Sequence, residues 1–297
     1  TGTLSEGYSK DNLYLDNPVI VRKMSDSTID KPNSGPKLDD LQVQLAVDVV
    51  LFTIVDDQLN VVLVERGVPP FMGSWALPGG FVLPEETLER AALRELEEET
   101  GVKDQPGHLE QLETYGNPDR DPRSRVVTIA YWAIMAGLDN LQGGGDAKRA
   151  ELVSVAKIED REVKLAFDHE KIVYDAVKRV QSKLEYTTLA TKFCPPEFTL
   201  SQLRNVYETL WKTDLDEGNF QRKIRSSPEF VVGLKSMRDS GELGGRPARL
   251  FSAGRADYLD KPISSPLFSL ISHPTGDESD MWLDSPPASG PLRPLED

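Results

Sequence analysis

Apolar and polar positions fall into blocks that change period along the chain. Residues 42–55 are rich in Val, Leu and Ile and predict a strand, Asp56-Asp57 supplies a turn, and 60–65 predict a second strand, so this stretch reads as a hairpin. Residues 68–79 break the pattern with Pro69, Pro70, Gly73 and Pro78. Helical spacing then runs over 87–99 and ends at Gly101, a residue suited to a left-handed cap. Strands are predicted at 109–115, 125–135 and 152–158. A helix follows at 168–184, whose apolar positions Ile172, Val173, Ala176, Val177, Val180 and Leu184 recur at packing intervals. Strands mixed with two helices predict an α/β sandwich with a mixed sheet over 41–190.

Pro195-Pro196 marks an expected boundary, and the pattern beyond it differs. Residues 199–211 predict a helix opened by Thr199 and Gln202 as a capping box, and 216–225 predict another with Asp216 as N-cap. Short strands are expected at 230–234 and 249–252, around a Gly/Arg loop. Helix, helix, strand, loop, strand is the order of the later part of a winged helix–turn–helix, so 191–255 form a second predicted domain. Residues 1–40 read as a flexible arm and 256–297 as a disordered acidic tail, both polar and without periodicity. No apolar run approaches the ~18 residues of a membrane span, and no secretory pattern opens the chain. Cys194 stands alone, which fits a reducing compartment; the expectation is a cytoplasmic protein with no membrane partner.

Charge changes the picture for the second domain. The chain carries a net charge of −15, which argues against nucleic acid, but the charge is uneven: −12 over residues 1–191, +3 over 192–255 and −6 over 256–297. A basic island between acidic segments calls for a partner of its own.

The first domain holds the stronger chemical signal. Gly80 is followed by Glu86 and then by Arg94-Glu95-Leu96-Glu97-Glu98-Glu99-Thr100-Gly101-Val102. At 100° per residue, Glu95, Glu98 and Glu99 fall within about 100° of one helix flank. Leu88 and Ala92 share the row of Glu95 and Glu99, so these carboxylates point into a cleft. Crowded carboxylates repel one another and are costly to desolvate. A divalent cation relieves both: Mg²⁺ takes one or two carboxylates, waters and phosphate oxygens, an arrangement that polarises a pyrophosphate. Arg94 can orient a neighbouring carboxylate, and Gly79-Gly80 lets the backbone approach a ligand. A solvated acidic helix is the plain alternative for three glutamates alone, but the full spaced pattern arises by chance in fewer than about one window in a million.

This pattern resembles, without a departure, the box of the Nudix hydrolase family, which cleaves nucleoside diphosphates linked to another moiety. The resemblance implies Arg94, Glu95, Glu98 and Glu99 as the catalytic set, with Glu95, Glu98 and Glu99 as ligands of Mg²⁺ or Mn²⁺. Arg66-Gly67, Trp75 to Phe81 and the loop 115–125 look like the subgroup that handles ADP-ribose, which makes Arg66, Gly79, Gly80, Phe81 and Arg125 the candidate ligand-binding residues. Arg120 and Arg123 on the same loop are further candidate phosphate contacts. Glu170 is weighed as a catalytic base against the plainer reading of an acidic residue at a helix N-terminus, which is favoured.

In the basic island, Asn219, Gln221, Arg222, Lys223 and Arg225 lie on the second predicted helix, and Arg246 and Arg249 on the loop. Arg and Lys pair with phosphate or guanine, Asn and Gln with adenine. These seven are the candidate DNA-binding residues, against the alternative of a small packing or dimerisation domain. The runs 198–203, 206–208, 219–223 and 245–251 resemble the C-terminal domain of Nudix-related transcriptional regulators, and the resemblance covers about residues 42–252. It implies a dimeric DNA-binding regulator of genes for NAD metabolism or sugar use, whose affinity for a palindromic operator changes when ADP-ribose or a related nucleotide binds. Many such regulators carry a damaged box; this box is intact, so hydrolysis is expected as well. The rival expectation is a plain Mg²⁺-dependent pyrophosphatase without a role at DNA.

Overall fold

The computed structural model describes residues 42–138, 141–238 and 247–263. The predicted N-terminal arm, Arg246 and the tail beyond 263 lie outside the described residues.

Strand β1 (Gln44–Val55) turns into β2 (Gln58–Arg66) through Asp56 and Asp57, both at positive φ, the turn geometry that suits a right-twisted hairpin. Two short strands, β3 (Trp75–Ala76) and β4 (Gly79–Phe81), occupy the stretch expected to be irregular. They pair with β2 and β1, respectively, and their brevity hides them from any periodicity argument. Helix α1 (Leu88–Thr100) is capped by the Thr87 hydroxyl, which accepts from the Arg90 N–H, and ends at Gly101 with φ 73°. Strands β5 (His108–Tyr115) and β6 (Val126–Ile134) follow, and β6 runs parallel to β1 over nine residue pairs while the other pairings are antiparallel. The sheet is therefore mixed, as predicted.

One expectation fails next. The strand predicted at 152–158 is β7 (Ala147–Ser154) running into a short helix α2 (Val155–Glu159). The apolar run of Leu152, Val153, Val155 and Ile158 continues across the change of element, while the first half of β7 is Ala, Lys and Arg held in register by β2. Helix α3 (His169–Lys183) completes the sandwich.

Alternate residues of the strands feed two cores. Val47, Val49, Leu51, Ile129, Tyr131 and Ala133 pack with Ala91, Ala92 and Leu96 of α1. Val50, Phe52, Ala130, Trp132 and Ile134 pack with Ile172, Val173, Ala176 and Val177 of α3. That second core continues through a 3-10 turn (Leu189–Phe193) into helix α4 (Leu200–Trp211), helix α5 (Glu217–Ser226) and the strand pair β8 (Val231–Arg238) and β9 (Ala248–Ala253), taking in Leu203, Tyr207, Phe220, Ile224, Phe230 and Phe251. Both predicted caps are present: the Thr199–Gln202 box on α4 and Asp216 on α5, whose carboxylate accepts from the Asn219 N–H at 2.7 Å. An antiparallel bridge from Phe198 to Phe251 adds a third stretch to the β8–β9 pair. The expected boundary at Pro195-Pro196 is thus a change of architecture but no break in the core. The expected tail also starts too early: Ile263 is buried, and its N–H donates to the Glu185 carbonyl. Backbone bonds to folded neighbours hold residues 256–263 where sequence polarity suggested disorder.

Candidate functional site: an acidic and guanidinium-lined cleft

A cleft of about 380 Å³ opens between α1, the β1–β4 edge and the loops 116–125 and 143–146. Arg94 organises its acidic wall. Its guanidinium donates twice to Glu86, through Nε at 3.0 Å and Nη2 at 2.7 Å, and through Nη1 to Glu95 at 2.7 Å and Glu98 at 3.0 Å. This pairing, together with the Leu83 N–H, holds Glu86 at a pKa of about 2. Glu86 and Arg94 therefore form a fixed charged brace, with Glu95 and Glu98 hung on its open end.

Helical phase places Glu99 as expected: it is buried, and its Oε2 accepts the Gly79 N–H at 3.0 Å. Burial pushes its pKa up to about 7, reinforced by the charges of Glu95 and Asp146. Glu95 is raised for the same first reason, although Arg94 opposes it. Glu98 is more than half exposed. The glycines of the box have a role the sequence did not reveal. A Cβ on Gly80 would come within 2.2 Å of Glu95 Oε1, and one on Gly79 within 2.3 Å of the Val47 carbonyl. They make room for the protein's own carboxylate and for the β4–β1 pairing.

Among the described residues no three His, Cys, Asp or Glu side chains form a ready metal cage. The three predicted ligands are spread along Arg94 and Gly79 instead. The donor set still fits a hard cation: it is all oxygen, and two of its members are desolvated carboxylates pushed towards protonation, a penalty that a bound divalent ion offsets. Mg²⁺ needs only one or two such carboxylates when waters and phosphate oxygens complete its shell.

Facing the glutamates is a basic and aromatic wall. Arg66, Phe81, Arg120, Arg123 and Phe167 line the cleft. The Arg66 guanidinium lies 4.9 Å from the Phe167 ring centre, and that of Arg123 lies 5.3 Å from Phe81 and 5.7 Å from Phe167. Arg125, predicted to bind ligand, is absent from the lining: it is exposed and donates to the Gly116 carbonyl at 2.7 Å, closing its own loop. The turn at 122–124 separates the two: Arg123 is held by Asp121 on the cleft side, while Arg125 bonds back to Gly116.

Of the floor, sequence reasoning found only Arg120, as a candidate phosphate contact. Arg120 is buried and donates to both oxygens of Asp168, at 3.0 and 2.7 Å, and lies 3.4 Å from Asp48. His169 Nδ1 accepts the Leu77 N–H at 2.9 Å, leaving the proton on Nε2, 3.4 Å from Asp48 Oδ1. Burial lowers the pKa of His169, outweighing Asp48, so the ring is neutral. Asp48, Asp168 and His169 carry no local sequence pattern that marks them as part of the site. Glu170 itself is exposed and outside the cleft lining, its Oε1 accepting weakly from the Leu165 N–H. The carboxylates lining the cleft outside the box are Asp48, Asp121 and Asp146, and the first two are held by arginines. Asp146 arrives on Gly143-Gly144-Gly145, which press against α1 so closely that a Cβ on Gly144 would meet the Glu98 carbonyl at 2.3 Å.

On the second half, Asn219, Arg222 and Arg225 are exposed on α5, while Gln221 and Lys223 are half-buried. Arg222 donates to Asn219 Oδ1 at 2.9 Å and Gln221 to Glu217 at 2.8 Å, so these side chains are held by close neighbours on their own helix. Gly218, Gln221, Arg222 and Arg225 line a shallow depression on the helix. Arg249 is exposed but folds back over its strand pair, donating to the Leu234 carbonyl at 3.2 Å and lying 5.6 Å from the Phe251 ring centre. Arg246 is outside the described residues. No helix among them is long and apolar enough to cross a membrane.

The NUDIX domain family matches residues 44–176, and the NrtR DNA-binding winged helix domain family matches residues 190–253. The ADPR responsive transcriptional repressor NtrR of Acinetobacter baylyi is 35% identical over 220 residues, covering 72% of this chain and 83% of the relative. The chain belongs to the NrtR family of DNA-binding repressors with a Nudix domain. The crystal structure of Shewanella oneidensis NrtR complexed with a 27mer DNA matches this NrtR-type chain with a TM-score of 0.63 and 31% identity, over 74% of this chain and 99% of that one. An ADP-ribose pyrophosphatase of Methanocaldococcus jannaschii is 42% identical over 125 residues, 42% of this chain and 70% of the relative. Nudix hydrolases generally use a divalent metal ion.

Proposed function

We propose that the chain is a transcriptional repressor whose Nudix cleft takes ADP-ribose and whose affinity for operator DNA changes when it does. The observation that carries this reading is one continuous core joining a cleft of diphosphate-matched chemistry to a winged helix with arginines on an open helix face. Arg66 and Arg123 are suited to the diphosphate oxygens, and the exposed face of Phe81 to a planar base. Asn219, Gln221, Arg222, Lys223 and Arg225 read or grip the operator, with Arg246 as the wing candidate, since Arg249 is engaged with Leu234 and the Phe251 ring. The protein acts as a homodimer on a palindromic site in the cytoplasm.

The intact box supports a second activity, hydrolysis of the same ligand. Glu95, Glu98 and Glu99 would hold Mg²⁺ or Mn²⁺, which supplies charge neutralisation at the pyrophosphate. Arg94 keeps Glu95 and Glu98 in place, and the Gly79 N–H orients Glu99. Asp146, whose charge acts on Glu99 and which forms no salt bridge among the described residues, replaces Glu170 as the group that takes the proton from the attacking water.

The test measures binding of the full chain to its operator duplex with and without ADP-ribose, and AMP release with Mg²⁺. Operator binding that ADP-ribose shifts supports the regulator; no specific binding at moderate salt overturns it. Loss of AMP release on Glu98→Gln with Glu99→Gln supports hydrolysis, and a wild-type chain that leaves ADP-ribose uncut excludes hydrolysis of that substrate.

A further inference from the structure

Helix α3 touches both halves of the molecule, and its two ends are held in different ways. At its N-terminal end, Asp168 occupies the N-cap position but makes no side-chain cap bond. Aspartate at this position ordinarily accepts from the first-turn N–H groups, which stabilises the helix start. Here its carboxylate is turned to Arg120, in the floor of the cleft, and both oxygens are used there. The next residue, His169, holds the Leu77 N–H, on the same short segment as the Gly79 N–H that binds Glu99. The start of α3 is thus tied to both walls of the cleft.

At the other end, the winged helix grips α3 from two sides. Gln181 Nε2 donates to the Leu210 carbonyl at 2.7 Å, and Trp211 Nε1 donates to the Gln181 carbonyl at 3.2 Å. The chain leaving β9 comes back across the turn after α3: the Thr188 N–H donates to Asp257, the Leu259 N–H to Tyr186 and the Ile263 N–H to Glu185, with the Thr188 hydroxyl on the Ala256 carbonyl. Helix α3 is fifteen residues long, about 22 Å at 1.5 Å per residue, and the two sets of contacts lie towards its opposite ends.

We propose that Asp168 is a two-position switch, paired with Arg120 when the cleft is empty and capping α3 when a diphosphate occupies Arg120, and that α3 carries the change to the winged helix through Gln181 and the 256–263 strap. Capping requires the Asp168 backbone, now at ψ 21°, to swing towards the extended conformation of an N-cap, and a ligand that competes for Arg120 biases the two positions. Phosphate oxygens are suited to do so, because a guanidinium binds phosphate in the same forked geometry as carboxylate. The proposal rests on the regulator reading above.

The experiment uses the full chain, ADP-ribose, and a duplex selected from random DNA by the wild-type protein. In wild type, ADP-ribose is expected to shift the DNA Kd by about tenfold or more, within the usual range of coupling between sites. Asp168→Asn keeps a good cap but loses the charged pair, so its ligand-free DNA Kd should lie near the ligand-bound wild-type value. Gln181→Ala with Thr188→Val should bind ADP-ribose as wild type does and lose most of the shift. Full wild-type response in either variant overturns the proposal while leaving the regulator standing; a wild-type chain that selects no duplex, or does not respond, removes the regulator reading and this proposal with it. Hydrogen exchange on the unaltered chain needs no variant to fold: ADP-ribose should alter protection at Glu170 and Lys171 and also at Thr188, Leu259 and Ile263, and unchanged protection at either end overturns the relay.

Discussion

The cleft and the exposed face of α5 both present charged side chains, yet they are built on opposite terms. In the cleft, Arg120, Asp48 and His169 are buried and, with the partly buried Asp168, hold one another in place, while the buried Glu99 is held by the Gly79 N–H. On α5, Asn219, Arg222 and Arg225 stand in solvent, and the bonds they make are to close neighbours on the same helix. Buried pairs act as a unit, since removing one partner leaves an uncompensated charge. Exposed charges are screened, contribute little to stability and are free to meet a polyanion. The difference teaches where each kind of control lies: folding and pH bear on the cleft, salt on the exposed face of α5.

The sharpest way to break this comparison is Arg120→Ala. It strands Asp48 and Asp168, and the expected cost in urea unfolding is roughly 3–5 kcal/mol. A loss below about 1 kcal/mol, the scale of an exposed pair, would put the two regions on equal terms.

Glu99 offers the next test. Its pKa in the folded chain, about 7, lies above its ordinary 4.5, so folding favours the protonated form. This group's contribution to stability is fully present below about pH 4.5 and is lost as the pH rises through 7, on the order of 3 kcal/mol in the metal-free protein. Unfolding curves across that window should show the slope in wild type and a shallower one in Glu99→Gln. Equal slopes would mean that the carboxylate is solvated after all.

The smallest effect belongs to α5. Arg222→Ala should leave the unfolding midpoint unchanged, weaken DNA binding by about 1 kcal/mol and reduce the salt slope by about 1. Arg249→Ala sharpens this further: its guanidinium is already engaged with Leu234 and the Phe251 ring, so a salt slope that stays at the wild-type value is expected for it.

Much of the site was legible because its logic is local. Glu95, Glu98 and Glu99 share a flank through helical phase alone, and α1 keeps its predicted start and its Gly101 stop. The caps of α4 and α5 were readable for the same reason, each being a bond across three residues. What escaped was everything that needs partners distant in sequence. Asp48 and Arg120 are 72 residues apart, and Arg120 and Asp168 are 48 apart. Arg125 looked as good a phosphate contact as Arg123 until the loop's path turned one inward and tied the other to Gly116. Asp146 carried no signal beyond three glycines, whose purpose appears only when α1 lies against them.

By itself, the sequence determined the Nudix box, the acidic flank of α1, the mixed α/β architecture and the order of elements in the winged helix, because periodicity, capping and turn chemistry act between residues a few positions apart. Only the tertiary structure decided that the two halves share one core, that residues 256–263 strap the second half to the end of α3, and that Asp168 gives its carboxylate to Arg120 instead of to its own helix. Those outcomes depend on which distant groups burial brings together, and a buried charge is satisfied by whatever partner the fold places beside it.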